Sequence, residues 1–302
     1  MVPAGMRASA MRAAVLRGEA YGVVFEARVD DRRLLPAVRA RFPPGSRATR
    51  KPPATVLSLV HELSGTERRS ARSRQTSPLA LGLSVRNDGQ LVARGMSHAR
   101  ALDVFESELQ LAVARLARPE VFVHAGVVAV DGRAIVVPGR SGTGKTTLVR
   151  ALVDAGATYY SDEYAVLDVE GRVHPYARRP SVRVRAGHKE RHPVPRHRGR
   201  GPAPVALVIE TRYRPDGRWD PAPLSAGECV LALLANTVPA RDRPADVLAA
   251  LARATEGARA YSSERGSASR TARALIAIAR GEQSSRPARR ATRRPKSAIR
   301  RR

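Results

Sequence analysis

AIVVPGRSGTGKTT, residues 134–147, starts as a short apolar run, breaks into glycine, and ends on Lys145, Thr146 and Thr147. Within it, Gly139-Arg140-Ser141-Gly142-Thr143-Gly144-Lys145-Thr146 has the G-x-x-x-x-G-K-T spacing of a loop that wraps polyphosphate. Glycines permit the backbone turns that aim successive N–H groups at one anion. The stretch predicts a strand over 134–137 and a helix over 145–155, stopped by Gly156. The helix adds the positive end of its dipole to the nest. In such a loop Lys145 reaches the β- and γ-phosphates, Thr146 offers its hydroxyl to Mg²⁺, and Thr147 reaches the α-phosphate. ATP with Mg²⁺ is the expected ligand.

Two acids stand downstream. Residues 159–168 (YYSDEYAVLD) read as one strand carrying Asp162 and Glu163. Alternation sends two neighbours to opposite faces unless a bulge or strand end intervenes. Acids shortly after a phosphate-loop helix can hold Mg²⁺, directly or through water, or take a proton from an attacking hydroxyl. Upstream, 121–130 (VFVHAGVVAV) reads as a strand turned back at Asp131-Gly132. His124 interrupts its apolar run, either as a satisfied core residue or as a group facing a site.

Farther out, 178–204 is basic, Pro-rich and expected to be irregular. His174, His188, His192 and His197 lie in or near it without a zinc spacing and read as solvated. Residues 205–213 (VALVIETRY) read as a buried strand, and 215–217 as a turn. Ser225 and Glu228 form a capping box that opens a helix over 226–236. Asp242 and Pro244 start a helix running to Gly257, and a last helix over 269–280 ends at Gly281.

The first 119 residues read as a small α+β region. Strands are expected at 21–29 and 56–60, a short helix at 34–42, and a hairpin, 79–86 with 90–94, around Asn87-Asp88-Gly89. Leu102, Phe105, Leu109, Val113 and Leu116 recur at helical spacing behind a Ser97 cap, which predicts a helix over 97–117. Residues 65–77 read as a loop. No catalytic set stands out here, and the region is expected to pack against a second one, 120–281. The remainder, 282–302, is Ser, Pro and Arg with almost nothing to bury, and is expected to be disordered.

The 302 residues are 43% hydrophobic, enough for a sizeable core, but only 4% aromatic, so Val, Leu and Ala must build it. A net charge of +27 suggests an acidic partner. Yet Lys51, Lys145, Lys189 and Lys296 are the only lysines, an imbalance typical of GC-rich coding, and much of the charge sits in the irregular segments. Nucleic acid is therefore not expected as the main partner. Cys229 stands alone, which excludes an intrachain disulfide. No apolar run is long enough to span a bilayer, and residues 1–17 lack the apolar stretch of a signal peptide. A cytoplasmic location without a membrane partner is expected.

The stretches HAGVVA, PGRSGTGKTTL and YYSDEYAVLD together resemble the catalytic domain of the HPr kinase/phosphorylase family. They resemble its HPr kinase-like bacterial relatives more closely, over most of 21–281. The family has a His-Gly strand, a G-x-S-G-x-G-K-S loop and an Asp-Asp pair, on a fold similar to the nucleotide-binding core of phosphoenolpyruvate carboxykinase. The resemblance implies an α/β P-loop core of that type, with a small α+β N-terminal region and a disordered basic tail. It implies that Asp162 is the general base, that Glu163 lies near the metal, and that His124 lies near the phosphates. The implied reaction is Mg-dependent transfer from ATP to a serine-type hydroxyl of a protein, peptide or small molecule. The family's oligomers raise a homo-oligomer as an expectation. Where bifunctional members carry a Glu-Ile-Arg-Gly-Leu-Gly-like run, 178–204 has none. Arg140 also replaces a loop acid, and Glu163 replaces the second Asp. The resemblance therefore covers the nucleotide half and names no acceptor. A nucleotide-sensing regulatory ATPase without a phosphoryl acceptor is the alternative.

Overall fold

The ten-residue strand Val121–Val130 is the axis of the molecule, buried along almost its whole length, as a strand covered on both faces must be. It lies in a computed structural model that describes residues 13–62, 82–140, 142–185 and 188–282. The expected loop at 65–77, the tail beyond 282, Ser141, and all but the last residues of 1–17 lie outside the described residues.

Asp131 and Gly132, at φ 49° and 78°, turn the axial strand into its antiparallel neighbour Arg133–Pro138. Val205–Tyr213 pairs parallel with Arg133–Pro138, and Arg259–Arg265 pairs parallel with Val205–Tyr213. Ala222–Pro223 closes that edge. On the other flank of the axis lie Thr158–Ser161 and Tyr164–Leu167, followed by Val173–His174. The result is a mixed sheet of 8 strands. A second mixed sheet has 6 strands, in the order Arg47–Ala48, Ala14–Ala20, Val23–Val29, Thr55–His61, Leu83–Asn87, Gln90–Met96.

Side chains of the axial strand alternate between faces, and the alternation sorts the cores. Val123, Ala125 and Val127 join the core beneath helices Ala226–Leu234 and Pro244–Thr255. Val128 and Val130, on the opposite face, join the core of helices Lys145–Asp154 and Ala268–Arg280. Phe122 shares that second face but belongs to a third core, with Tyr164, Val166 and the inner residues of the six-stranded sheet. His124 and Gly126 fall between Phe122 and Val128, in the seam where the two cores on this face meet.

Helix His98–Leu116 closes the third core with Leu102, Phe105, Leu109 and Val113, as their spacing predicts. Leu116 does not join them and stays 45% exposed. Four other expectations change. Tyr21 is not in a strand. With Gly22 it makes a positive-φ turn joining Ala14–Ala20 to Val23–Val29. The 159–168 strand is broken at Asp162-Glu163. Arg259–Arg265 is a strand the sequence reading omits, because RAYSSER lacks an apolar run. The segment 178–204 is not wholly irregular: Ser181–Arg185 pairs antiparallel with His188–Arg191.

The expected capping box is present. Ser225 Oγ accepts from Glu228 N at 3.3 Å, and Glu228 Oε2 accepts from Ser225 N at 2.8 Å. Ser225→Ala removes one half of this exchange at an exposed helix start. It is expected to lower unfolding free energy by about 1 kcal/mol, read from urea denaturation. Among the described residues, no helix is long and apolar enough to cross a membrane.

Candidate functional site

The glycine loop leaves the strand Arg133–Pro138 and enters the helix Lys145–Asp154. Gly142 and Gly144 hold φ 89° and 81°, which favours glycine over residues carrying a Cβ. Gly139 N donates to the His124 carbonyl at 3.1 Å, so the axial strand anchors the start of the loop. Lys145 is buried, and its Nζ donates to the carbonyls of Gly139 and Arg140 at 2.5 and 2.9 Å. Burial pulls its pKa down to about 8, while Glu163 and Asp162 pull the other way. Arg140 and Thr147 are exposed at the loop mouth, and Thr143 Oγ1 donates to the Arg140 carbonyl at 2.9 Å. Among the described residues no side chain caps this helix. Its first-turn N–H groups are therefore left for solvent or an anion.

Gly126 lets the loop helix approach the axial strand. A Cβ there would meet Val149 Cγ2 at 2.6 Å, deep in the sheet–helix contact. Gly126→Ala is expected to cost about 1–3 kcal/mol of stability by overpacking, read as a lower denaturation midpoint.

Asp162 and Glu163 lie one strand away. Ser161 pairs with Val127 and Tyr164 with His124, on one continuous antiparallel line. Between them the chain bends, because Ser161 Oγ accepts from both Glu163 N (3.1 Å) and Tyr164 N (2.9 Å). Asp162 reaches the loop helix, where Thr146 Oγ1 donates to its Oδ2 at 3.1 Å. Its Oδ1 accepts from the buried Tyr159 hydroxyl at 3.0 Å. Glu163 points elsewhere: Oε1 is 3.4 Å from His124 Nε2, and Oε2 accepts from Arg178 Nη1 at 3.2 Å. The structure thus joins Thr146 to Asp162, and His124 to Glu163.

The two carboxylates are pushed in opposite directions. Burial raises Asp162 above the usual Asp value, outweighing Arg178. Burial also acts upward on Glu163, but the His124 hydrogen bond and the charges of Arg178, His124 and Lys145 hold it at about 2.

Two arginines join the site from a distance in sequence. Arg265, 1% exposed, donates from Nη2 to the carbonyls of Thr143 and Gly144 at 3.2 and 2.8 Å, bracing the loop from the end of its strand. Arg178 bridges Glu163 to helix His98–Leu116 through Gln110 and Glu106. No one-dimensional signal marks either residue, since both sit in polar or Arg-rich runs. Beside the loop, at the carboxyl ends of the three parallel strands, lies a cavity of about 490 Å³. Gly139, Arg140, Thr211, Arg212, Asn236 and Glu264 are among its lining residues. Ligands of open α/β sheets characteristically bind at that end.

No family model matches the chain, and no curated protein does. Among solved structures, the chain is weakly similar to the Hpr(Ser) kinase/phosphatase from Coxiella burnetii. The identity is 15% and the TM-score 0.30, over 53% of this chain and 95% of that one. What the site can do follows from its own geometry.

Proposed function

We propose that the chain binds ATP with Mg²⁺ at the loop and transfers the γ-phosphoryl group to a serine-type hydroxyl of a protein, peptide or small molecule. One observation carries the reading. Thr146, the first residue past the loop lysine, meets Asp162 at 3.1 Å, which sets an acid from another strand on the rim of a polyphosphate nest. Gly139, Arg140, Gly142, Thr143 and Gly144, with Ser141 expected from the sequence, would line that nest, Lys145 would neutralise the β- and γ-phosphates, and Thr147 would meet the α-phosphate.

The split between the acids supports a division of labour. Asp162, raised by burial, takes the hydroxyl proton as the acceptor oxygen attacks the γ-phosphorus and ADP departs. Glu163 stays ionised, oriented by His124 and Arg178.

The donor set fits Mg²⁺. Thr146, Asp162 and Glu163 offer hard oxygen donors, and among the described residues there is no group of three or more His, Cys, Asp or Glu that could hold a metal. Mg²⁺ in nucleotide sites takes one or two carboxylates and completes its shell with phosphates and water. Thr146 would hold it, with Asp162 at its edge and Glu163, whose oxygens already meet His124 and Arg178, close by. When bound it offsets the charge on the phosphates.

The test is incubation of wild type and Asp162→Asn with γ-labelled ATP, Mg²⁺ and cell extract. Label on a protein or small molecule, lost in the variant, is the expected result. Label recovered only as inorganic phosphate from both proteins would replace this reading with the regulatory ATPase.

A further inference from the structure

We propose that Arg178 is the positioning residue of the carboxylate pair, and that helix His98–Leu116, from the layer of the six-stranded sheet, completes the site through it. The inference rests on the phosphotransfer reading above.

Arg178 touches Glu163 directly and reaches Asp162 only through Tyr159. Its Nη1 donates to Glu163 Oε2 at 3.2 Å. Its main-chain carbonyl lies 3.1 Å from the Tyr159 hydroxyl, the same hydroxyl that meets Asp162 Oδ1. The guanidinium is in turn fixed from the helix, with Nη1 donating to Gln110 Oε1 at 2.7 Å and Nη2 to Glu106 Oε1 at 2.9 Å. Glu106 also binds Arg191, from the hairpin strand His188–Arg191, and lies 3.8 Å from Arg41.

Glu106 and Gln110 explain why this arrangement is more than a surface ion pair. They are 5% and 3% exposed, on the face of the helix that otherwise carries Leu102, Phe105, Leu109 and Val113. Burying a carboxylate and an amide beside an apolar core is unfavourable unless each is hydrogen-bonded. A buried polar pair is weak evidence for stability by itself, and here both its members grip one guanidinium. A guanidinium, planar with a fixed fork of donors, can span Glu163, Gln110 and Glu106 at once, which an ammonium on a flexible stem cannot. Helix, hairpin and acid pair are thereby locked into one frame, and Glu163 is oriented from two sides, by Arg178 and by His124.

The test uses the full chain with Mg·ATP as the probe. Affinity is read by calorimetry and turnover of γ-labelled ATP by kinetics, for Arg178→Met, Arg178→Lys, Glu106→Gln and the Arg178→Lys/Glu106→Gln pair. Thermal unfolding confirms that each variant folds. Glu106→Gln preserves shape and serves if Arg178→Met does not fold. The expected result is a ten- to hundredfold loss of kcat with KM and Mg·ATP affinity within about threefold, as for other groups that orient a ligand from behind. Arg178→Lys should recover only part of the loss. The double variant should be no worse than the poorer single one, because both act on one frame. Turnover within twofold of wild type in both Arg178→Met and Glu106→Gln, or losses that multiply in the double variant, would overturn the assignment while leaving the phosphotransfer reading intact. A wild type that neither binds nor turns over Mg·ATP sinks both.

Discussion

Asp162→Asn is expected to lower phosphoryl transfer by about 10²–10⁴-fold while leaving Mg·ATP affinity nearly unchanged. Asparagine keeps the size of the side chain and an oxygen for the Thr146 and Tyr159 hydroxyls, both of which donate to Asp162. What it removes is the capacity to accept a proton. Burial pushes this carboxyl upward, the direction that makes a carboxylate a better proton acceptor. The neighbouring Glu163, held at about 2, cannot substitute, because a carboxylate that binds protons so weakly is a poor acceptor at neutral pH. The same change at Glu163 should therefore act differently. Glu163→Gln should slow the step less, by about the ten- to hundredfold expected of Arg178→Met, with Mg·ATP affinity little changed, because it loosens the same frame. Transfer that survives undiminished in Asp162→Asn would remove Asp162 from the mechanism.

Lys145→Ala is expected to weaken Mg·ATP binding by roughly a hundredfold or more, from the loss of about 3 kcal/mol in charge-assisted hydrogen bonds to phosphate. Calorimetry of the two proteins side by side reads this directly. In the structure the ammonium is occupied by the Gly139 and Arg140 carbonyls, and its burial has lowered its pKa to about 8. A polyphosphate offers that ammonium a stronger partner than two neutral carbonyls, so binding should draw Lys145 away from them. Because the carbonyls lose their donor in the variant, the loop itself could loosen. Lys145→Met controls for this by keeping the apolar stem under the loop. Equal losses in Ala and Met assign the effect to the charge. Unchanged affinity in both would remove the loop as the nucleotide site, and with it the function proposed above.

The legible parts of this chain share a property: their determinants lie close together in sequence. The helix His98–Leu116 follows from apolar spacing, the helix Ala226–Leu234 from a capping box, and the turn at Asp131-Gly132 from two residues. The loop is legible for the same reason, since eight consecutive residues fix its backbone and its charge. Arg259–Arg265 is not legible, because its burial comes from position, beside Val205–Tyr213, and not from an apolar pattern of its own. Tyr21 has a strand-forming side chain, but its place in the two-residue turn depends on the partner strand Ala14–Ala20.

By itself the sequence determined that a glycine-rich loop stands at the head of a helix, and that two acids follow it. Only the tertiary structure decided which acid meets the loop helix, because the bend closed by Ser161 ends the strand alternation at that point. It also recruited Arg178 and Arg265, and set Glu106 of the first layer behind the acids. Charges held together by folding act through distances in space, and a linear order of residues records none of them.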